Sequence, residues 1–143
     1  MKETLPVLFR DEYLIAIHKP SGLLVHRTVL DWRETRFALQ MLRDQIGQRV
    51  YPVHRLDRGT SGVLLFALNS DISRVLAQQF EAGAVQKRYW AVVRGHPPET
   101  GEIDHALTRL KDDVDFLGQT VIQTAQDALT RYHRLATAEI PVQ

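Results

Sequence analysis

The chain has 143 residues, no cysteine and a formal net charge of +1, with 18 lysines and arginines against 17 aspartates and glutamates. This length predicts one domain with a sizeable core, and the lack of cysteine excludes disulfides, thiolate zinc sites and a cysteine nucleophile. A nearly neutral charge is not typical of a nucleic-acid-binding domain. Without a signal-peptide core or a stretch of about 20 apolar residues, we expect a soluble, cytoplasmic protein with no membrane partner.

The first part of the chain predicts a β-hairpin and a helix. Two short apolar runs, 6–9 and 13–17, are separated by a polar turn and predict two paired strands. Residues 35–46 carry apolar side chains at helical spacing. They predict an amphipathic helix that ends at Gly47, since glycine is common at helix C-termini.

Two strands and a second helix are predicted next. Residues 50–53 predict a short strand, and the continuous apolar run 63–68 predicts a strand buried on both faces. The second helix is predicted to begin at Ser70, because serine caps helix N-termini, and to end at Gly83. Its apolar residues lie on one face.

The last third of the chain predicts strands around an irregular segment. Residues 86–93, 101–107 and 128–140 have strand-like patterns. Residues 108–126 are polar and weakly periodic, which predicts an irregular or mobile loop. We therefore expect one domain over residues 1–143, of the α+β class, with a mixed, mainly antiparallel β-sheet and two helices packed on it.

The stretch from His54 to Gly62 is the most unusual part of the sequence. It reads HRLDRGTSG and places the carboxylate of Asp57 between the guanidinium groups of Arg55 and Arg58. Two neighbouring cations favour the ionised carboxylate, which predicts a charged, nucleophilic Asp57. A capped turn with a surface ion pair has the same composition, so composition alone leaves both interpretations open.

A second polar turn, Lys19-Pro20-Ser21-Gly22, interrupts the apolar pattern of the hairpin. Its proline and glycine fix a turn. Lys19 and the nearby His26 could meet a phosphate or line a cleft. A plain connection between two elements explains the turn equally well.

Three segments together resemble one enzyme family. HRLDRGTSGVLLFAL, residues 54–68, resembles the signature motif of the RluA-type RNA pseudouridine synthases, whose aspartate at this place is the catalytic nucleophile. Residues 11–26 resemble the opening strand and NKPSGLLVH turn of that family, with His18 at the usual asparagine position, and residues 86–95 resemble its K-x-Y segment. By this resemblance the chain is most similar to the tRNA pseudouridine synthase C branch.

The resemblance implies a reaction and residue roles. Enzymes of this family detach uracil from its ribose, rotate it and rejoin it through C5, without a cofactor or metal. Asp57 would attack ribose C1′ or uracil C6, or assist a glycal route, and the sequence leaves all three open. Arg55 would fill the space left by the flipped uridine or hold the backbone, and Tyr89 would stack on the base and could act in proton transfer. Further RNA-binding or supporting candidates are His54, Arg58, Thr60, Lys87, Arg88, Lys19 and His26.

One part of the family pattern does not occur in the sequence. Family members continue with a motif like G-R-x-H-Q-L-R, whose arginine pairs with the catalytic aspartate, and the 143 residues lack it. We therefore expect the chain to match the N-terminal part of a family catalytic domain, as a fragment or as a naturally short protein. Such a chain should have an open sheet edge and exposed apolar surface.

Three hypotheses for function follow. The first is an RNA pseudouridine synthase with Asp57 as nucleophile and RNA as partner, tRNA being favoured over rRNA. The second is a catalytically incomplete RNA-binding module that retains the scaffold. The third is another enzyme with an aspartate nucleophile, such as a hydrolase, which needs a second carboxylate at a defined distance. No paired site of this kind is legible in the sequence.

Overall fold

The computed structural model of the chain describes residues 3–27, 33–107 and 126–141. The protein has two compact units, Met1–Lys87 and Arg88–Gln143. The predicted α+β class is confirmed: two helices accompany strands whose pairs, within the described residues, are all antiparallel.

The first unit contains four strands and two helices. They are β1 (Val7–Arg10), β2 (Leu14–Lys19), α1 (Ala38–Ile46), β3 (Tyr51–Pro52), β4 (Gly62–Ala67) and α2 (Ser70–Glu81). The strands form one sheet in the order β1-β2-β4-β3. The first two make the predicted hairpin, and β4 lies between β2 and β3, hydrogen-bonded on both sides. The loop that precedes β4 therefore runs from an edge strand, β3, to an inner strand of the sheet.

The core of the first unit lies between the sheet and the buried residues of α1. Ile15 and Ile17 of β2 and Leu64 and Phe66 of β4 are fully buried. Alternate residues of a strand face the same side, so these four side chains form one apolar face. Burying each is worth about 1.5–3 kcal/mol. Leu56, from the loop between β3 and β4, belongs to the same core.

The opposite face of β4 is only partly covered. The prediction of a strand buried on both faces is wrong at Val63, which is 57% exposed. Helix α2 packs against β3 and β4, and none of its own residues is completely buried. Ile72, Leu76 and Phe80 of α2 are half-buried.

The helix ends are set by local hydrogen bonds. Asn69, not the predicted Ser70, caps α2, because its side chain accepts a bond from the backbone nitrogen of Ile72 at 2.9 Å. The predicted end is confirmed: α2 stops at Glu81 and Gly83 follows with a left-handed φ of 70°.

Helix α1 begins at Ala38, three residues later than predicted, and has no side-chain cap. Its first nitrogens are satisfied by another segment: Ala38 N donates to Leu24 O at 2.8 Å and Leu39 N to Val25 O at 2.9 Å. Gly47 ends the helix with a φ of 65°, as predicted. The start of α1 was therefore decided by a tertiary contact.

The second unit contains an antiparallel pair, β5 (Thr100–Asp104) and β6 (Leu129–His133). The strand predicted over residues 86–93 is absent, because no strand of the described residues pairs with this segment and an extended backbone needs a hydrogen-bonding partner. Its Trp90 and Val92 are 89% and 97% exposed.

The loop predicted over 108–126 lies outside the described residues except for Gln126, which bridges Leu107. Apolar side chains are also exposed at the sheet edge of the first unit, on Val7, Leu8 and Phe9 of β1. Within the described residues, neither helix has the length and apolar character needed to cross a membrane.

Candidate active-site loop

Loop 53–61 joins β3 to β4 and presents Asp57 to solvent. Leu56 is buried in the core, and the next residue, Asp57, is exposed. The backbone nitrogen of Thr60 donates to the carbonyl oxygen of Asp57 at 3.0 Å, which closes a turn. The loop is thus anchored on one side of Asp57 and folded tightly on the other, while its carboxylate stays accessible.

The turn at residues 19–22 lies against the loop that carries Asp57. Gly22 N donates to Arg58 O at 2.7 Å, and Arg58 Nε donates back to Gly22 O at 3.1 Å. Ser21 Oγ donates to Gly59 O at 2.8 Å. The turn after β2 therefore holds the residues that follow Asp57 through both backbone and side-chain bonds.

Lys19 supports this contact from below the surface. Its side chain is fully buried, and Nζ donates to the carbonyl oxygens of Pro20 at 2.9 Å, Leu23 at 2.6 Å and Arg58 at 3.2 Å. These acceptors use all three N–H groups of an ammonium. Burial lowers the pKa of Lys19, and the negative charge of Asp57 acts in the opposite direction. Lys19 exposes no surface to a phosphate in this structure.

Arg58 has an acidic partner that is distant in the sequence. Its guanidinium group donates to the Glu34 carboxylate at 2.9 Å. The flanking of Asp57 by Arg55 and Arg58 stays a prediction. Arg55 is exposed, and the negative charge of Asp57 raises the pKa of the buried Lys19.

The side chain of His54 accepts a backbone hydrogen bond of β4 just beyond the end of β3. Strand β3 ends at Pro52, and His54 Nε2 accepts the hydrogen bond of Leu65 N at 2.9 Å, in place of a strand carbonyl. The ring stacks on Phe80 of α2, with centroids 4.6 Å apart and planes 10° from parallel. Burial lowers the pKa of His54, and the positive charge of Lys87 lowers it further. Because Nε2 accepts a hydrogen bond from a backbone N–H, it carries no proton, and the proton of the neutral ring is on Nδ1.

The remaining candidates have few contacts. His26 is half-buried with Nδ1 3.2 Å from the carbonyl oxygen of Arg27, and Thr60 is half-buried in the turn. Arg88 and Tyr89 belong to the second unit, where both are exposed, Tyr89 by 58%. Their roles stay predictions.

Two contacts of this loop were not predicted from the sequence: the ion pair of Glu34 with Arg58 and the stacking of Phe80 on His54. Glu34 lies 24 residues before its partner Arg58, and nothing in the local pattern relates the two. Phe80 was recognised as part of an apolar helix face, but its stacking on His54 depends on how α2 packs on the sheet.

Comparisons with known proteins find the same family that the three sequence motifs resemble. The family described as RNA pseudouridylate synthase matches residues 13–141. The chain is 54% identical over 138 residues to tRNA pseudouridine synthase C of Haemophilus ducreyi, covering 96% of this chain and 56% of the relative. It is 51% identical over 138 residues to the protein of the same name from Pectobacterium carotovorum, covering 96% and 37%. The chain thus spans about half, or less, of these curated relatives.

A solved structure has the same fold. The human protein RNA Pseudouridylate Synthase Domain Containing 4 is 27% identical, with a TM-score of 0.67 over 93% of this chain and 54% of that one. Together with the family match over nearly all residues, this shows that the chain belongs to the RNA pseudouridylate synthase family.

Proposed function

We propose that the chain carries the active-site loop of a tRNA pseudouridine synthase and that Asp57 is its nucleophile. The observation that supports this most is the exposed carboxylate on a loop held by the buried Leu56 and by the turn 19–22. A nucleophile must reach an external substrate, and it must also be held in place. The names of the relatives favour tRNA over rRNA.

The proposed reaction is an isomerisation and consumes no cofactor. The bond between C1′ and N1 of uridine breaks, a bond between C1′ and C5 forms, C5 loses its proton to solvent and N1 gains one. Each of the three routes open to Asp57 needs its carboxylate beside an unstacked nucleotide, so the uridine must leave its stack. We infer a cytoplasmic location because the proposed substrate is tRNA.

Two cationic side chains and one aromatic ring are assigned to RNA. Arg55 is exposed and, among the described residues, makes no hydrogen bond or ion pair, so its guanidinium is available for a phosphate or for the space left by the flipped base. Lys87 acts electrostatically on His54 and so lies near the loop. The exposed ring of Tyr89 offers a stacking surface, worth about 1–3 kcal/mol per base.

Tritium release from tRNA transcripts carrying 5-tritiated uridine tests the proposal, since C5 loses its hydrogen. We expect Asp57→Asn to lower the rate by more than about 10⁴-fold, as for loss of other catalytic side chains, with RNA binding retained. Asp71→Asn is the matched control, because Asp71 is an exposed aspartate on α2 that pairs with Arg74. Equal release by Asp57→Asn and the unchanged chain would refute the assignment of the nucleophile.

A second candidate is an RNA-binding module without turnover. It is favoured by the ring of Trp90, which is 89% exposed and offers a stacking surface for a base. This candidate predicts tRNA binding that weakens linearly on a log–log plot against salt, without tritium release. Release that depends on Asp57 would exclude it.

A further inference from the structure

We propose that Arg58 and Glu34 form a positioning pair that holds the loop of Asp57 in its working place. This inference rests on the proposed function, and it gives Arg58 a task other than binding RNA or ionising Asp57. Three observations support it. They are the hydrogen bonds of the Arg58 guanidinium group, the position of Arg58 directly after Asp57, and the attachment of the Glu34 segment to the core.

Arg58 is fixed at both its backbone and its side chain. Its carbonyl oxygen accepts from Gly22 N and from Lys19 Nζ. Its Nε donates to Gly22 O at 3.1 Å, and a terminal nitrogen donates to Glu34 Oε2 at 2.9 Å. Arg58 and Gly22 therefore form a reciprocal pair of bonds, and Glu34 holds the far end of the guanidinium group.

Glu34 belongs to a segment that is itself attached to the core. Three residues later, Phe37 is buried and bridges Leu24, and Leu24 O accepts from Ala38 N. The Glu34 carboxylate is 30% exposed, less than the 50% of Arg58. The pair thus connects the loop to the turn after β2 and to the start of α1.

The position of Arg58 in the chain makes this connection relevant to catalysis. Arg58 follows Asp57 directly, so a shift of the Arg58 backbone also moves the Asp57 carboxylate. A displacement of about 1 Å at a reacting group costs up to about 100-fold in rate. The global stability of the fold should change little, because a partly exposed ion pair is screened by solvent. A positioning role therefore predicts a local effect on the loop that exceeds the effect on unfolding.

Amide hydrogen exchange tests the pair without relying on activity. In Arg58→Lys and in Glu34→Gln, we expect exchange at the Gly22 and Thr60 amides to accelerate by about 10-fold or more, at an unchanged urea midpoint. Glu34→Gln is the sharper variant, because Glu34 bonds to neither amide. Arg74→Lys is the matched control, since Arg74 forms an exposed ion pair with Asp71 on α2. Unchanged exchange in both variants would overturn the proposal.

Turnover gives the second readout. In the tritium assay we expect both variants to lower kcat by about 10- to 100-fold with KM for tRNA unchanged, and the double variant to lose no more than the worse single one. A raised KM with normal kcat would make Arg58 an RNA-binding residue and overturn the proposal. If the unchanged chain releases no tritium, the proposed function fails, while hydrogen exchange still decides whether the pair holds the loop.

Discussion

The buried ammonium of Lys19 donates a hydrogen bond to the carbonyl oxygen of Arg58, 3.2 Å away. This bond joins the end of β2 to the residue that follows Asp57. The two segments are 39 positions apart in the chain, but Lys19 and Gly62 are opposite each other in the register of β2 and β4. The strand pairing therefore brings the lysine under the loop, and burial makes its three carbonyl contacts obligatory.

Replacing Lys19 by methionine should destabilise the first unit. Pro20 O and Leu23 O would lose the donor that Lys19 supplies, and each buried polar group without a partner costs about 1–3 kcal/mol. Removal of a buried charge offsets part of this. We expect Lys19→Met to lower the free energy of unfolding in urea by about 1–3 kcal/mol.

The exposed Lys87→Met is the control, with an expected change within about 0.5 kcal/mol. A Lys19→Met variant with the urea midpoint of the unchanged chain would show that the carbonyl contacts do not stabilise the fold.

His54 should make the protein less stable in mild acid. Because burial and Lys87 lower the pKa of His54 in the folded state, the unfolded protein binds more protons between this pKa and the ordinary value of about 6.5. The contribution of His54 to the free energy of unfolding is therefore fully present above about pH 6.5. It is lost as the pH falls below this value. Urea unfolding at about pH 7.5 and 5.5 measures the difference.

Two variants separate the roles of the imidazole. Glutamine at position 54 can accept the bond from Leu65 N without titrating, so His54→Gln should keep most of the stability and lose this pH dependence. His54→Phe can still stack on Phe80 but leaves Leu65 N without its acceptor, which should cost about 1–3 kcal/mol at neutral pH. Equal stability of the two variants would show that the hydrogen bond contributes nothing.

The N-terminus of α2 gives a test of helix capping. Asn69 accepts the bond of Ile72 N, whereas Ser70 is the first residue of the helix. We expect Asn69→Ala to lower the free energy of unfolding by about 1 kcal/mol. Ser70→Ala should change it by less than about 0.5 kcal/mol, as an ordinary surface substitution does. Thermal or urea unfolding followed by circular dichroism distinguishes them, and a larger loss for Ser70→Ala would reverse the assignment of the cap.

Patterns along the chain were enough to predict the α+β class, the hairpin, the helix ends at Gly47 and Gly83, and the family. These features depend on local patterns: apolar periodicity, glycine in the left-handed region and motifs of consecutive residues. The same local patterns placed Asp57 in a polar stretch between two predicted strands. A strand was also predicted over 86–93 from its alternating pattern, but a strand requires a partner for its backbone as well.

Contacts between side chains from distant parts of the sequence were not predictable from local patterns. Arg58 follows Asp57 in the sequence, yet its guanidinium group bonds to the distant Gly22 and Glu34, and the charge of Asp57 acts on the pKa of the buried Lys19. The physical reason is that charged and polar groups are satisfied by whatever the fold brings within hydrogen-bonding distance. Here the antiparallel pairing of β2 with β4 sets that neighbourhood, and adjacency along the chain does not.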